Sequence, residues 1–237
     1  RGADTVALID HRVMRLYADG SRTGVVTQVV LALNEQGRDR ITSIHLAEHG
    51  RIQVLNAYAA NPDGERVEAT RPRDGKVRFR ALEDNSVAVL QYRFDSGPQP
   101  YLALHMAELW SFHASAWATT WSEWSLWLGV DEVVHEQGHG AYTRDESEHG
   151  ALKRISWSMR DVAPLIPEPS APPMLEIMNH VMVSTVPDWE TFMRWEAALL
   201  AGAFRADPQL EALAKRLVQA SDPPATKVSA LHNYVMN

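Results

Sequence analysis

Apolar and polar residues alternate with a period of two along most of the first two-thirds of the chain. The first such runs cover residues 6–17 and 25–31, and the second is rich in the β-branched residues that favour strands. A period of two places successive side chains on opposite faces of a strand. The pattern therefore predicts strands here and at six later segments: residues 41–46, 52–58, 77–80, 87–92, 123–130 and 155–159.

Turn-forming residues separate these runs. Asp19-Gly20 supplies the residues that a tight hairpin needs, and Asn61-Pro62-Asp63-Gly64 combines a proline that fixes φ with a glycine that tolerates positive φ. Short strands divided by turns, without helices between them, favour an antiparallel β-sandwich.

The period changes to about 3.6 after a segment that contains five prolines, residues 163–173. Asp188 and Asp207 each precede an apolar helical stripe as an N-cap residue would, and Pro208 suits a first helical position. A third helix is predicted to begin near Thr226. We therefore predict a mainly β fold with a C-terminal helical segment, that is, an antiparallel β-sandwich followed by about three α-helices.

This change of pattern predicts two domains. Residues 1–180 would form the β-sandwich, and residues 181–237 would form the helical part. The helices carry apolar stripes that a small helical segment cannot fully bury, so we expect them to dock on the sandwich, with Trp189 and Trp195 as anchors, and to give a tendency to dimerise.

Composition excludes several classes of function. The formal net charge is −7 and basic residues do not cluster, which argues against a nucleic-acid partner. No run of about 18 apolar residues occurs, so no membrane span is expected. The chain contains no cysteine, which removes disulfides, thiolate metal ligands and cysteine nucleophiles from these residues. It begins at Arg1 rather than methionine, as expected of a processed or trimmed chain.

Four segments in a characteristic order give the chain a family resemblance. They are residues 16–20 (LYADG), residues 57–64 (AYAANPDG), residues 183–189 (VSTVPDW) and the helical segment 227–235. Together they resemble bacterial proteins in which an all-β domain of unknown function precedes a transglutaminase-like domain. The resemblance extends over essentially the whole chain.

The resemblance implies where catalysis would occur. In that family the helices open the transglutaminase-like domain, and a Cys-His-Asp triad follows further along the chain. That triad would lie beyond Asn237, so no catalytic, cofactor-binding or metal-binding residue is assigned within this chain. The resemblance also implies an extracytoplasmic location, in the periplasm or cell envelope.

A rival interpretation comes from His135-Glu136-Gln137-Gly138-His139, which matches the zinc-peptidase pattern H-E-x-x-H. That chemistry needs a helix, so that His135 and His139 share one face around Zn²⁺ with Glu136 beside the bound water. Gly138 and Gly140 both disfavour a helix. We predict a strand or hairpin here, without a tightly held zinc ion.

Two features of this motif are left open. A hairpin turning at Gln137-Gly138 would bring the two histidines together and leave a weak two-histidine metal site. A zinc metallopeptidase using His135, Glu136 and His139 remains a minor alternative, although no third ligand follows at the expected spacing.

Five tryptophans between Trp110 and Trp127 suggest another alternative, a module that binds glycan or peptide on exposed aromatic rings. We assign Trp124 and Trp157 to the core. The residues left as candidates for an exposed platform are Trp117, Trp121 and Trp127.

The acidic stretch from Asp145 to His149 lacks the ligand spacing of a calcium loop and is predicted to be a solvated hairpin tip.

The leading interpretation is a non-catalytic accessory β-sandwich. Its partner would be the transglutaminase-like domain of the same protein, and an envelope peptide or glycan is a further candidate partner. The intact protein would then act on amide bonds through a cysteine nucleophile.

Overall fold

The structure is a computed structural model that describes residues 3–48, 50–99, 102, 104–113, 117–166, 170–203 and 207–236. The chain divides into two compact units, residues 1–187 and 188–237. The elements in chain order are β1 (Thr5–Leu16), β2 (Arg22–Ala32), α1 (Glu35–Ile41), β3 (Ser43–His45), β4 (Arg51–Ala60), β5 (Arg66–Glu68), β6 (Lys76–Arg78), β7 (Val87–Ser96), β8 (Ala107–Ser111), β9 (Ala118–Gly129), β10 (His135–His139), β11 (Thr143–His149), β12 (Leu152–Val162), α2 (Met174–Ile177), β13 (His180–Ser184), α3 (Trp189–Ala203), α4 (Pro208–Leu217) and α5 (Pro224–Met236).

The first unit is built on an eight-stranded sheet with the order β11-β12-β9-β1-β2-β7-β4-β5. Neighbouring strands are antiparallel except at the centre, where β1 and β9 run parallel. A second, three-stranded sheet has the order β10-β13-β8, and β3 and β6 form a two-stranded ladder.

One apolar core joins the two larger sheets. The main sheet contributes buried side chains such as Leu90, Trp124 and Trp157, and the three-stranded sheet contributes Val181 and Val183. The alternation read from the sequence therefore reflects a sheet with one face packed against a second layer. The predicted fold class, mainly β with C-terminal helices, is confirmed, and the parallel β1–β9 pair is an addition that local sequence pattern does not reveal.

Two elements differ from the predicted strand pattern. Helix α1 occupies residues before the predicted strand 41–46, which shortens to β3. Asn34 caps α1 by accepting a hydrogen bond from the backbone N–H of Gly37. Gly37 is required because a Cβ there would lie 2.0 Å from the backbone oxygen of Asp4. Strand β13 extends the first unit past residue 180, the predicted domain boundary.

The second unit contains α3, α4 and α5, the three helices predicted from the 3.6-residue period. Both predicted caps are present: Asp188 Oδ1 accepts from the N–H of Thr191, and Asp207 Oδ1 accepts from those of Gln209 and Leu210. Neither α4 nor α5 contains a buried residue. Among the described residues, no helix is both long enough and apolar enough to cross a membrane.

Candidate functional site

The H-E-x-x-H sequence forms the strand β10, and its five residues are all exposed. In a strand, residues four apart are separated by about 13 Å, too far for His135 and His139 to share one ion. The zinc-peptidase interpretation fails because the backbone is extended. The suggested hairpin at Gln137-Gly138 is also wrong, since both residues pair in one continuous ladder with β13.

Glu136 is hydrogen-bonded to other side chains and does not face a water that a zinc ion could hold. Its Oε2 accepts a hydrogen bond of 2.8 Å from Nε1 of buried Trp157 and one of 3.0 Å from Nε of Arg144. Gly138 is required for packing, because a Cβ there would lie 2.5 Å from the Tyr142 ring and 2.7 Å from the His180 backbone oxygen. Within the described ranges, no group of three or more His, Cys, Asp or Glu side chains is arranged to hold a metal ion.

The tryptophans divide as the alternation in β9 predicts. Trp124 and Trp157 are fully buried with ring centroids 5.0 Å apart, which confirms their assignment to the core. Trp117, Trp121 and Trp127 are all half-buried. Trp121 lies 5.2 Å from the His11 ring and Trp127 lies 5.1 Å from the His149 ring. These three residues therefore do not present a row of fully open ring faces.

The acidic stretch from Asp145 to His149 belongs to β11 and is not the tip of a hairpin. It pairs antiparallel with β12, and the tip falls at Gly150, which has a positive φ of 65°. Strand β11 is an edge of the main sheet and is mostly exposed, so its charges have the role expected at an edge, where they discourage pairing with another chain.

The most unusual chemistry of the first unit lies on the buried face of β1. Alternation places Asp10, Arg12 and Met14 on that face, and all three are buried. Asp10 pairs in register with Gln28 of β2 and lies beside Ser122 of β9. Two ionisable groups therefore point into the layer between the sheets, where an uncompensated charge is strongly disfavoured.

Arg12 is held by carboxylates and by aromatic rings. Its Nη1 donates to Glu48 Oε1 at 2.9 Å and lies 3.6 Å from Glu108 Oε2. Its guanidinium carbon lies 4.7 Å from the centre of the Trp124 ring and 5.2 Å from that of Trp110. Such cation–π contacts strengthen when desolvated.

A second arginine completes this cluster. Arg22 donates to Glu108, which thereby contacts both arginines. We call Arg12, Arg22, Glu48 and Glu108 the charge cluster, in which Arg12 is buried and the other three residues are half-buried. Its opposite charges compensate one another, and removing a carboxylate would leave the charge of buried Arg12 less compensated.

Asp10 lies at the edge of this cluster. Burial raises the pKa of its carboxyl group, and the hydrogen bond from Gln28 and the charge of Arg12 only partly oppose that effect. Gln28 Nε2 donates to Asp10 Oδ1 at 3.2 Å. Burial similarly raises the pKa of the neighbouring Tyr92 hydroxyl, which accepts a hydrogen bond from the backbone N–H of Ala47.

A cavity of about 470 Å³ lies against these residues. Asp10, Gln28 and Tyr92 line it from the main sheet, and Trp110 and Trp117 line it from the segment that includes β8. This volume falls in the range of small-molecule sites, and aromatic walls with a few polar groups are typical of them. The pocket is large enough for a small ligand with both apolar and polar groups.

Sequence reasoning missed Asp10, Arg12, Glu48 and Glu108. A signal was present: strict alternation puts Asp10 and Arg12 on the same face as Met14 and Leu16. The partners Glu48 and Glu108 come from distant segments, so only the fold brings them together.

No protein-family model and no curated protein matches the sequence. Among solved structures, a candidate protease from Parabacteroides distasonis has the same fold over 99% of this chain, with a TM-score of 0.78 and 16% sequence identity. The match covers 50% of that protein's chain, so the present chain spans about half of its length.

The M1 zinc metallopeptidase from Deinococcus radiodurans is a more distant likeness. It matches 75% of this chain and 42% of its own, at 13% identity and a TM-score of 0.41. At that score the likeness supports no inference about this chain.

Proposed function

We propose that this chain is the non-catalytic accessory region of a larger protein, and that a transglutaminase-like domain with a cysteine nucleophile follows it. The observation that carries the proposal is the likeness to half of a candidate protease, over nearly the whole of this chain. In that arrangement the β unit supports or shapes access to a catalytic region that it does not contain.

Three further points support the proposal. The order of segments 16–20, 57–64, 183–189 and 227–235 resembles the transglutaminase-like family. The H-E-x-x-H sequence forms an exposed strand, and its glutamate accepts hydrogen bonds from Trp157 and Arg144. The chain contains no cysteine, so a cysteine nucleophile would come from another segment. The same resemblance supports a location in the periplasm or cell envelope.

The test compares this chain with the longer natural protein in two assays, casein hydrolysis and amine incorporation into glutamine peptides. We expect turnover from the longer protein, loss of it when its proposed nucleophilic cysteine is replaced by alanine, and none from residues 1–237 alone. Turnover by this chain that persists through repurification would overturn the accessory role. A longer protein without a Cys, His and Asp at triad spacing would overturn the transglutaminase-like assignment.

A second candidate function is binding of a glycan or peptide group in the cavity between the sheets. The observation that favours it is the cavity of about 470 Å³ with Trp110, Trp117 and Tyr92 in its wall. Trp117→Ala removes part of that wall, while Trp127→Ala changes a half-buried tryptophan that does not line it. A ligand from a glycan or peptide array should lose affinity in the first variant and keep it in the second. Equal loss in both variants would point to the outer face of the sheet instead.

A further inference from the structure

A pair of histidines lies across the β10–β13 ladder. His139 and His180 are directly opposite each other in register. Opposite residues in an antiparallel pair project from the same face of the sheet. Their rings are nearly parallel, with an interplanar angle of 17° and centroids 6.3 Å apart.

His180 is held in one orientation. Its residue is only 4% exposed, and its Nδ1 lies 3.0 Å from the backbone carbonyl oxygen of Met178. A carbonyl can only accept, so the neutral ring carries its proton on Nδ1 and donates it there. Nε2 is then left with a free lone pair. A histidine fixed by an Nδ1–H to carbonyl bond is the usual orientation of an imidazole that binds a metal through Nε2.

The rings can share an ion only after one of them turns. With a metal–nitrogen distance of about 2.0–2.1 Å, each ring centre lies about 3.2 Å from the ion, so two rings bound to a tetrahedral ion are about 5.2 Å apart. The observed separation of 6.3 Å is longer than this and the two rings are stacked, whereas a bound ion lies in the plane of each imidazole. Because His139 is exposed, its ring can rotate towards His180 at little cost and bring the two nitrogens into a bent arrangement.

We propose that His139 and His180 form a cross-strand site for a divalent transition-metal ion of the kind that imidazole prefers, namely zinc, nickel or copper. Water would fill the remaining coordination positions. Two protein ligands hold an ion less tightly than the four of a structural zinc site. A site with two protein ligands therefore exchanges its ion readily with the solution.

This site differs from the zinc-peptidase pattern that the sequence suggested. It uses His139 with His180, a residue outside that motif. His135 pairs in register with Ser184 at the far end of the ladder. Glu136 is already bonded to Trp157 and Arg144. His135 is therefore a matched control, because it is exposed on the same strand and belongs to the same sequence motif.

The test is calorimetric titration of zinc chloride and of nickel chloride into the chain without a histidine tag. We expect one ion per chain for the unaltered protein, at least tenfold weaker binding for His139→Ala, and unchanged binding for His135→Ala. Equal weakening by both substitutions would overturn the site. Binding unaffected by His139→Ala, or no saturable uptake, would do so as well.

A second measurement keeps the test independent of folding at buried His180. Nickel added to the isotopically labelled chain should first broaden the imidazole resonances of His139 and His180. The chain has ten histidines, so the other eight report on general surface binding. Broadening of all ten in parallel would show that no specific site exists. His180→Asn is compared only if its circular dichroism matches that of the parent chain, and it should then behave as His139→Ala does.

Discussion

Asp10 and Arg12 lie two residues apart on the buried face of β1, and their neighbours compensate the two charges to different degrees. Arg12 contacts two carboxylates and two tryptophan rings, which compensate its charge. Asp10 receives one hydrogen bond, from Gln28, and its pKa is raised by burial. The charge of Arg12 is therefore compensated, whereas burial disfavours the ionised form of Asp10.

Asp10→Asn should stabilise the folded chain at neutral pH. The pKa of Asp10 is raised in the folded state above the value of 3.8, so ionisation favours the unfolded chain as the pH rises. Stability from the neutral carboxyl is present below pH 3.8 and is lost as the pH rises through the folded-state pKa. Asparagine cannot ionise and can still accept from Gln28.

The measurement is urea unfolding of both proteins at several pH values. The free energy of unfolding of the variant should exceed that of the parent at neutral pH, and the difference should shrink as the pH approaches 3.8. A variant that is less stable than the parent at neutral pH would contradict this expectation. It would show that an ionised Asp10 stabilises the fold by compensating the charge of Arg12.

Gly138→Ala should destabilise the β unit. The added Cβ would lie 2.5 Å from the Tyr142 ring and 2.7 Å from the backbone oxygen of His180, and backbone cannot move aside easily. Overpacking of this kind costs about 1–3 kcal/mol. Gly97→Ala is the control, because nothing lies within 4 Å of a Cβ at that position. Thermal unfolding of the two variants should therefore differ, and equal midpoints would contradict the packing role.

At the scale of elements, the alternation of apolar and polar residues predicts strands best where one face of the strand is buried and the other is exposed to solvent. Strands β1, β2 and β7 alternate clearly, and β4 alternates only up to its irregularity at Leu55; all four were predicted. The short strands β8 and β13 were not, because they are only five residues long and their pairing partners are distant in the chain. The same reason hid the candidate site: Glu48 and Glu108 are unremarkable until the fold places them on Arg12.

Helix α4 depends on its cap. Asp207 accepts hydrogen bonds from the N–H groups of Gln209 and Leu210, which have no partner within the helix. Asp207→Ala should cost about 0.5–2 kcal/mol of helix stability. Hydrogen exchange of the α4 amides should therefore be faster in this variant. Gln209→Ala, which leaves the capping bonds in place, should exchange as the parent does.

At the scale of the whole molecule, the two units differ in how much they bury. Among the residues that the structure describes, the buried apolar cluster consists of residues of the first unit. In the second unit, apolar side chains such as Leu199, Leu200 and Leu210 are exposed. Exposed apolar surface of this kind favours association.

A chain ending at Pro187 should therefore still fold. Its near-ultraviolet circular dichroism should match the tryptophan signal of the parent, since Trp124 and Trp157 keep their surroundings. Light scattering during gel filtration should show less dimer than in the full chain, because the exposed leucines are removed. Loss of the near-ultraviolet signal would mean that the helices are required for the β unit to fold.

The parallel pairing of β1 with β9 restricts the order in which the main sheet can assemble. Val6 pairs with Ala118 and Arg15 with Trp127, so the central junction closes only after the chain has looped over most of the first unit. Closing so long a loop is entropically costly and makes folding slow. Until then, the hairpin of β1 and β2 leaves its β1 edge without a partner. During synthesis on the ribosome this edge stays open until β9 emerges, and an open strand edge favours aggregation.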